Sequence, residues 1–151
     1  MSELLKGKKM VRKSGKDFKE TPDGGKELEG KVVALYFSAH WCPPCRLFTP
    51  VLKDFYDELS DSGDFEVVFV SFDRAEADQK SYMEEAHGDW LAVPFGDPTI
   101  NELAEKYGVS GIPALIVIKK DGTVVTDNAR VNVQSKSVAP TQALKEWKEK
   151  M

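Results

Sequence analysis

The sequence predicts a three-layer α/β domain, with helices on both faces of a central mixed sheet. Three observations lead there. Two apolar stretches, Val32-Val33-Ala34-Leu35-Tyr36-Phe37 and residues 65–72 with Val67, Val68, Phe69 and Val70 at the centre, are continuous rather than alternating. Runs of that kind belong to strands covered on both faces. Segments of helical periodicity follow each run, and Lys120-Asp121-Gly122 supplies a hairpin turn between two later strands, which should be antiparallel.

In chain order, residues 1–29 are the least patterned. Leu4, Leu5, Met10 and Val11 are scattered among lysines, and Pro22-Asp23-Gly24-Gly25 is a turn signal. A small hairpin or edge strand is expected here, its lysines exposed and guarding the edge. The lysine cluster reads as solvated surface rather than as a docking patch. After the first buried strand, Phe48, Leu52, Phe55 and Leu59 fall on one stripe of a helix from Pro43 to about Leu59, widened by Leu47 and Val51. Pro43 and Pro44 suit its first turn, where a missing N–H costs nothing. Pro50, in contrast, should kink it. The stretch 61–64 should end it.

Residues 75–87 read as a weakly amphipathic helix, and 90–95 as an ordered loop with a short extended piece, interrupted by Pro94. A further helix begins near Asp97-Pro98-Thr99, capped by Asp97 or by a Thr99/Glu102 capping box. Its stripe is Ile100, Leu103, Ala104 and Tyr107, and Gly108 is a plausible stop. Strands at 114–118 and 123–126, a polar stretch from Asp127 to Ser137, and a last helix from Pro140 carrying Leu144 and Trp147 complete the chain.

A chain of 151 residues fits one domain, 1–151, with 1–29 as its N-terminal extension. Charged residues are 30%, hydrophobic ones 41%, and the net charge is −4. No basic face calls for nucleic acid. No apolar run approaches the roughly 18 residues of a membrane span, and the N-terminus lacks a signal-peptide core. An intracellular chain is expected, cytoplasmic or also nuclear, and a monomer. In such a compartment thiols stay reduced, so the only two cysteines, Cys42 and Cys45, point to chemistry rather than to a staple. A disulfide closing so short a loop would also constrain the unfolded chain little.

Those cysteines lie in Trp41-Cys42-Pro43-Pro44-Cys45-Arg46, between a buried strand and the start of a helix. Unpaired N–H groups and the positive end of the helix dipole favour a thiolate there. Cys42, at the very start, is read as the nucleophile, facing solvent. Cys45, one turn in, is read as the resolving thiol. Zinc is disfavoured, because one C-x-x-C offers two of four ligands and His40 and His87 are the only histidines. Attached haem is disfavoured too, since Arg46 stands where a His is needed. No cofactor is expected. Beside the thiol, Trp41 reads as an aromatic platform for a partner. Arg46 reads either as a solvated residue or as positive charge near the thiolate. His40 reads as a surface or capping residue more than as a base. Tyr36 reads as core, with its hydroxyl partnered.

These motifs resemble the thioredoxin fold. W-C-x-x-C sits at a strand-to-helix junction, Pro50 follows Cys42 by eight residues, and Gly111-Ile112-Pro113 precedes the penultimate strand. The chain is most similar to the nucleoredoxin and tryparedoxin branch. That likeness rests on residues 36–46, on Phe65-Glu66-Val67-Val68-Phe69-Val70-Ser71 and on Trp90-Leu91-Ala92-Val93-Pro94-Phe95, within blocks spanning about 30–130. His40 favours nucleoredoxin, since Ser is more familiar there in tryparedoxin. The resemblance implies that Pro113 is cis and packs on the cysteines. It further implies that the Ile112 backbone pairs with an incoming peptide and that Arg130, read from sequence as a solvated loop residue, helps bind an anionic thiol. Two departures stand out. Tyr36 replaces the buried Asp that thioredoxins use for proton transfer, and Pro43-Pro44 replaces Gly-Pro. The expected activity is reduction of disulfides in partner proteins, with electrons from a reductase or a low-molecular-weight thiol. The alternative is a redox-gated binding module that holds a signalling partner and turns over little.

Overall fold

The computed structural model describes residues 8–14, 17–59, 64–119, 121–134 and 139–150. The expectations for Leu4, Leu5 and the lysines before Lys8, for the 61–63 turn, for Lys120 and for 135–137 fall outside them. The elements are β1 (Met10–Ser14), β2 (Asp17–Thr21), α1 (Gly24–Glu27), β3 (Val32–Ser38), α2 (Pro43–Leu59), β4 (Phe65–Ser71), α3 (Glu76–Ala86), β5 (Leu91–Ala92), α4 (Thr99–Lys106), β6 (Ala114–Ile118), β7 (Val124–Thr126), α5 (Ala129–Gln134) and α6 (Pro140–Glu149).

They build one seven-stranded sheet in the order β2-β1-β5-β4-β3-β6-β7. β3 pairs in parallel with β4, and β4 with β5, while β6 joins β3 antiparallel and β7 joins β6 antiparallel. Period-two alternation divides the central strand between two cores. Val32, Ala34 and Tyr36 face a core completed by Phe48, Leu52 and Phe55 of α2, Tyr82 of α3 and Trp147 of α6. Val33, Leu35 and Phe37 face the opposite core, closed by Leu103 of α4. Both faces of β3 and β4 are therefore buried throughout, which is why their sequences are apolar without alternation.

At the N-terminal end, β1 and β2 form an antiparallel hairpin, with β1 paired on its other side to β5. The hairpin extends the sheet. Its lysines do not all guard an edge. Lys13 is buried and pairs with Asp89 at 3.0 Å. Arg12 reaches the buried Glu66 at 3.0 Å, which also accepts the Tyr56 hydroxyl at 3.0 Å. The hairpin is thus fastened by ion pairs on residues far along the chain.

Other differences from the sequence reading are local. The 22–25 turn continues into α1, capped by Asp23, whose carboxylate accepts the Lys26 N–H at 3.3 Å. Of the two caps expected for α4, the one formed is Asp97, which accepts the Thr99 N–H at 2.9 Å, while Glu102 is turned to Lys8. Pro50 lies inside α2, on its exposed side. The polar stretch after β7 contains α5, whose Ala129 and Val133, four residues apart, are its buried contacts.

Candidate active site

The end of β3 delivers the chain to a tight turn, in which the Cys42 N–H donates to the Ala39 carbonyl at 3.2 Å. The Cys42 carbonyl then accepts the Arg46 N–H at 3.0 Å, the first bond of α2. Cys42 thereby occupies the capping position of the helix. Its sulfur accepts the Cys45 N–H at 3.3 Å, as a Ser or Asp oxygen does at other N-caps. Pro43 and Pro44 have no N–H to offer. The amide of Cys45 is therefore the first in the helix able to reach that sulfur. One N–H donor and the positive end of the helix dipole converge on the Cys42 sulfur.

Cys42 and Cys45 are joined as a disulfide, with Cα atoms 5.2 Å apart. Ala39, Phe72 and Ile112 pack on the pair. Cys42 is only 5% exposed, less open than the sequence suggested, because its sulfur lies against Cys45 and 3.9 Å from the Ile112 carbonyl oxygen. Cys45 is fully buried. The Ile112–Pro113 peptide bond is cis. The β3–β6 ladder ends at Phe37 with Ala114, so Ile112 lies just beyond paired backbone, next to the sulfur.

Trp41 is 53% exposed beside the disulfide, and its indole N–H donates to the Phe72 carbonyl at 3.2 Å. The Arg74 guanidinium lies 5.8 Å from its ring centroid. His40 turns away toward α3. Its ring nitrogen Nε2 meets Glu85 at 3.0 Å, and its ring lies 5.5 Å from that of Tyr82. Its backbone N–H donates to Asp73 at 2.8 Å, so it serves the turn. Arg46 is exposed on the first turn of α2. Arg130 is not a solvated loop residue. It stands half-buried in α5, donates to the Pro113 carbonyl at 3.2 Å and lies 5.6 Å from the Phe48 ring.

Beneath the cysteines, Tyr36 joins a network of hydroxyls that the sequence reading did not foresee. Its OH meets Thr49 Oγ1 at 2.6 Å. Thr49 donates to the Cys45 carbonyl at 2.8 Å and also meets the Tyr82 hydroxyl, which reaches Ser38 at 2.6 Å. A hydroxyl has one donor and two acceptor sites, and Thr49 uses all three. Burial, with the neighbouring Tyr82 as a second cause, pushes the Tyr36 pKa far above its ordinary value. Tyr36 therefore orders the helix start but stays a neutral phenol. It cannot take a proton as the thioredoxin Asp does. Thr49 had a legible signal, being a polar residue one turn after Cys45 on the inward stripe; Arg74 had none.

A strand-to-helix cysteine pair facing a cis-proline loop, on a mixed sheet layered by helices, defines a thioredoxin-fold redox centre. The chain belongs to the thioredoxin-like family, whose model matches residues 30–124. Among its relatives, mouse (Mus musculus) nucleoredoxin is 48% identical over 108 residues, covering 70% of this chain and 24% of the relative. The chain thus spans about a quarter of the nucleoredoxins that it matches. Tryparedoxin from Trypanosoma brucei brucei is 47% identical over 70% of this chain and 74% of its own length. A solved thioredoxin from Wuchereria bancrofti superposes with a TM-score of 0.81 at 49% identity, over 99% of both chains. A tryparedoxin II from C. fasciculata, solved in complex with glutathionylspermidine, superposes with a TM-score of 0.72 at 35% identity, over 84% of this chain and 86% of its own. The family match and the Cys42–Cys45 disulfide place a candidate redox-active cysteine pair on a thioredoxin-like domain.

Proposed function

We propose that the protein reduces disulfides in partner proteins, with Cys42 as nucleophile and Cys45 as resolving thiol. One observation carries this reading: Cys42 is the less buried of the two cysteines, and the Cys45 amide points at its sulfur at 3.3 Å. In the reduced protein the Cys42 thiolate attacks a partner disulfide, forming a Cys42–partner bond and releasing one partner sulfur as thiolate. Cys45 loses its proton and attacks the Cys42 sulfur. That forms the Cys42–Cys45 disulfide and releases the second partner thiolate. The partner gains two electrons and two protons, and a reduced thiol or dithiol donor must return them. In this reading the Ile112 backbone pairs with the extended partner segment, which is supported by its position just past the β6 ladder.

The test is insulin reduction with dithiothreitol as donor. Catalysis by the native chain should vanish in Cys42→Ser, whereas Cys45→Ser should accumulate mixed disulfides visible by intact-mass measurement. Identical behaviour of the two variants would contradict the assigned roles. A native protein that cycles its dithiol but does not reduce insulin would turn the reading toward a redox-gated binding module.

A further inference from the structure

The redox face carries three guanidinium groups from three separate elements. Arg46 stands on the first turn of α2, immediately after Cys45. Arg74, on the connection after β4, lies 5.8 Å from the exposed Trp41 ring. Trp41 is in turn anchored to the Phe72 carbonyl at 3.2 Å, and Phe72 packs on the cysteines. Arg130 of α5 holds the Pro113 carbonyl at 3.2 Å, on the loop that precedes β6. Among the described residues none of the three forms an ion pair, although the chain as a whole carries a net charge of −4. Several surface lysines elsewhere are matched, as in Lys53 with Asp57 at 3.0 Å, Lys148 with Asp64 at 2.7 Å and Lys8 with Glu102 at 3.5 Å. Two carboxylates beside the turn are hydrogen-bonded to other groups. Asp73 accepts the His40 N–H at 2.8 Å and the Ser71 hydroxyl at 2.7 Å, and Glu85 takes the His40 ring at 3.0 Å.

We infer that this face selects extended protein segments whose disulfide cysteine is flanked by Asp or Glu, with Arg74 and Arg46 as the charges that read the flanks. This rests on the reductase reading above. Trp41 gives Arg74 a rigid support, so little side-chain freedom is lost when a carboxylate arrives. Arg46 follows Cys45 on α2 and Arg74 lies over the Trp41 that precedes Cys42, so a strand laid against Ile112 can place an acidic residue near either. Arg130 is committed to the Pro113 loop and contributes fixed positive charge beneath the segment. Complementary charge of this kind raises the encounter rate and rejects wrong partners more than it adds bulk affinity.

The experiment uses pre-reduced full-length protein and three disulfide peptides identical except for Glu, Gln or Lys on both sides of the cysteine. Second-order reduction rates are measured at about 20 mM and about 500 mM salt, where screening shortens to a few ångströms. The Glu peptide should react about tenfold faster than the Lys peptide at low salt, with the Gln peptide between, since each exposed charge contact is worth a few-fold. High salt should bring the rates together. In Arg46→Glu/Arg74→Glu the Glu-to-Lys ratio should fall below one. Equal rates for the Glu and Lys peptides, or a ratio unmoved in the double variant, would overturn the inference and leave the reductase reading intact. No reduction of any peptide by the native protein would overturn both.

Discussion

His87 is a fully buried imidazole held neutral. Desolvation is the larger cause and the nearby Lys13 charge the smaller, and together they lower its pKa well below the ordinary value. Trp90 donates its indole N–H to His87 Nδ1 at 3.0 Å, so the ring proton sits on Nε2, which has no partner among the described residues. Aromatic rings close the rest of the site, with Phe69 and Tyr82 each at 4.4 Å between centroids. Protonating Nδ1 would set two donors against each other and place a charge among those rings. The unfolded chain has no such restraint and takes up its proton near pH 6.5. Below that pH the unfolded state binds one more proton than the native state, so stability falls as pH falls. The slope is about 1.36 kcal/mol per pH unit, and with the native ring neutral throughout, the loss from pH 8 to pH 5 is about 2 kcal/mol. His87→Gln keeps an acceptor for Trp90 and cannot titrate. Urea unfolding followed by circular dichroism at pH 8, 7, 6 and 5 should show the native protein losing about 2 kcal/mol more than the variant. The carboxylates and His40 are common to both proteins and cancel in the difference. Parallel stability curves would refute the argument, because they would mean that the native ring takes up its proton as easily as the unfolded one.

The hydroxyl network makes an ordered prediction. Thr49→Val strips Tyr36 and Tyr82 of a shared partner and should cost about 2 kcal/mol, whereas Tyr36→Phe leaves Thr49 bonded to Cys45 and Tyr82 and should cost about 1 kcal/mol. Denaturant midpoints check this, and the reverse order would show that Thr49 is not the hub. At the hairpin, Glu66→Leu removes the carboxylate held by Arg12 at 3.0 Å and Lys31 at 3.7 Å. Loss of about 3 kcal/mol is expected, with β1 amides losing hydrogen-exchange protection before those of β3. Uniform loss of protection across the sheet would show that the ion cluster does not fasten the hairpin in particular.

Much of the fold is local in origin, and the sequence carries it openly. β3 and β4 declare themselves because a strand buried on both faces has no room for polar residues, and α2 declares itself by one apolar stripe. The cysteine pair is legible for a similar reason, since helix position alone sets the inequality between Cys42 and Cys45. Short elements are less legible. Among the described side chains of α5, Ala129 and Val133 are the buried apolar ones, too few to stand out from a polar stretch. β5 is only two residues long, and it gains its place by pairing with β4 and β1 rather than by propensity.

What the sequence determined by itself is therefore the sheet's two central strands, the helix that follows the first of them and the two sulfurs at its start. Each follows from neighbours within a few residues along the chain. Only the tertiary structure decided what surrounds them. Lys13 and Glu66, which would be solvated on most surfaces, are buried because the hairpin closes over β5 and brings Arg12 and Asp89 into range. Arg130, Arg74 and His40 take their partners from residues 17, 33 and 33–45 positions away. Contacts of that separation depend on how the layers pack, and no local pattern of charge or hydropathy encodes them.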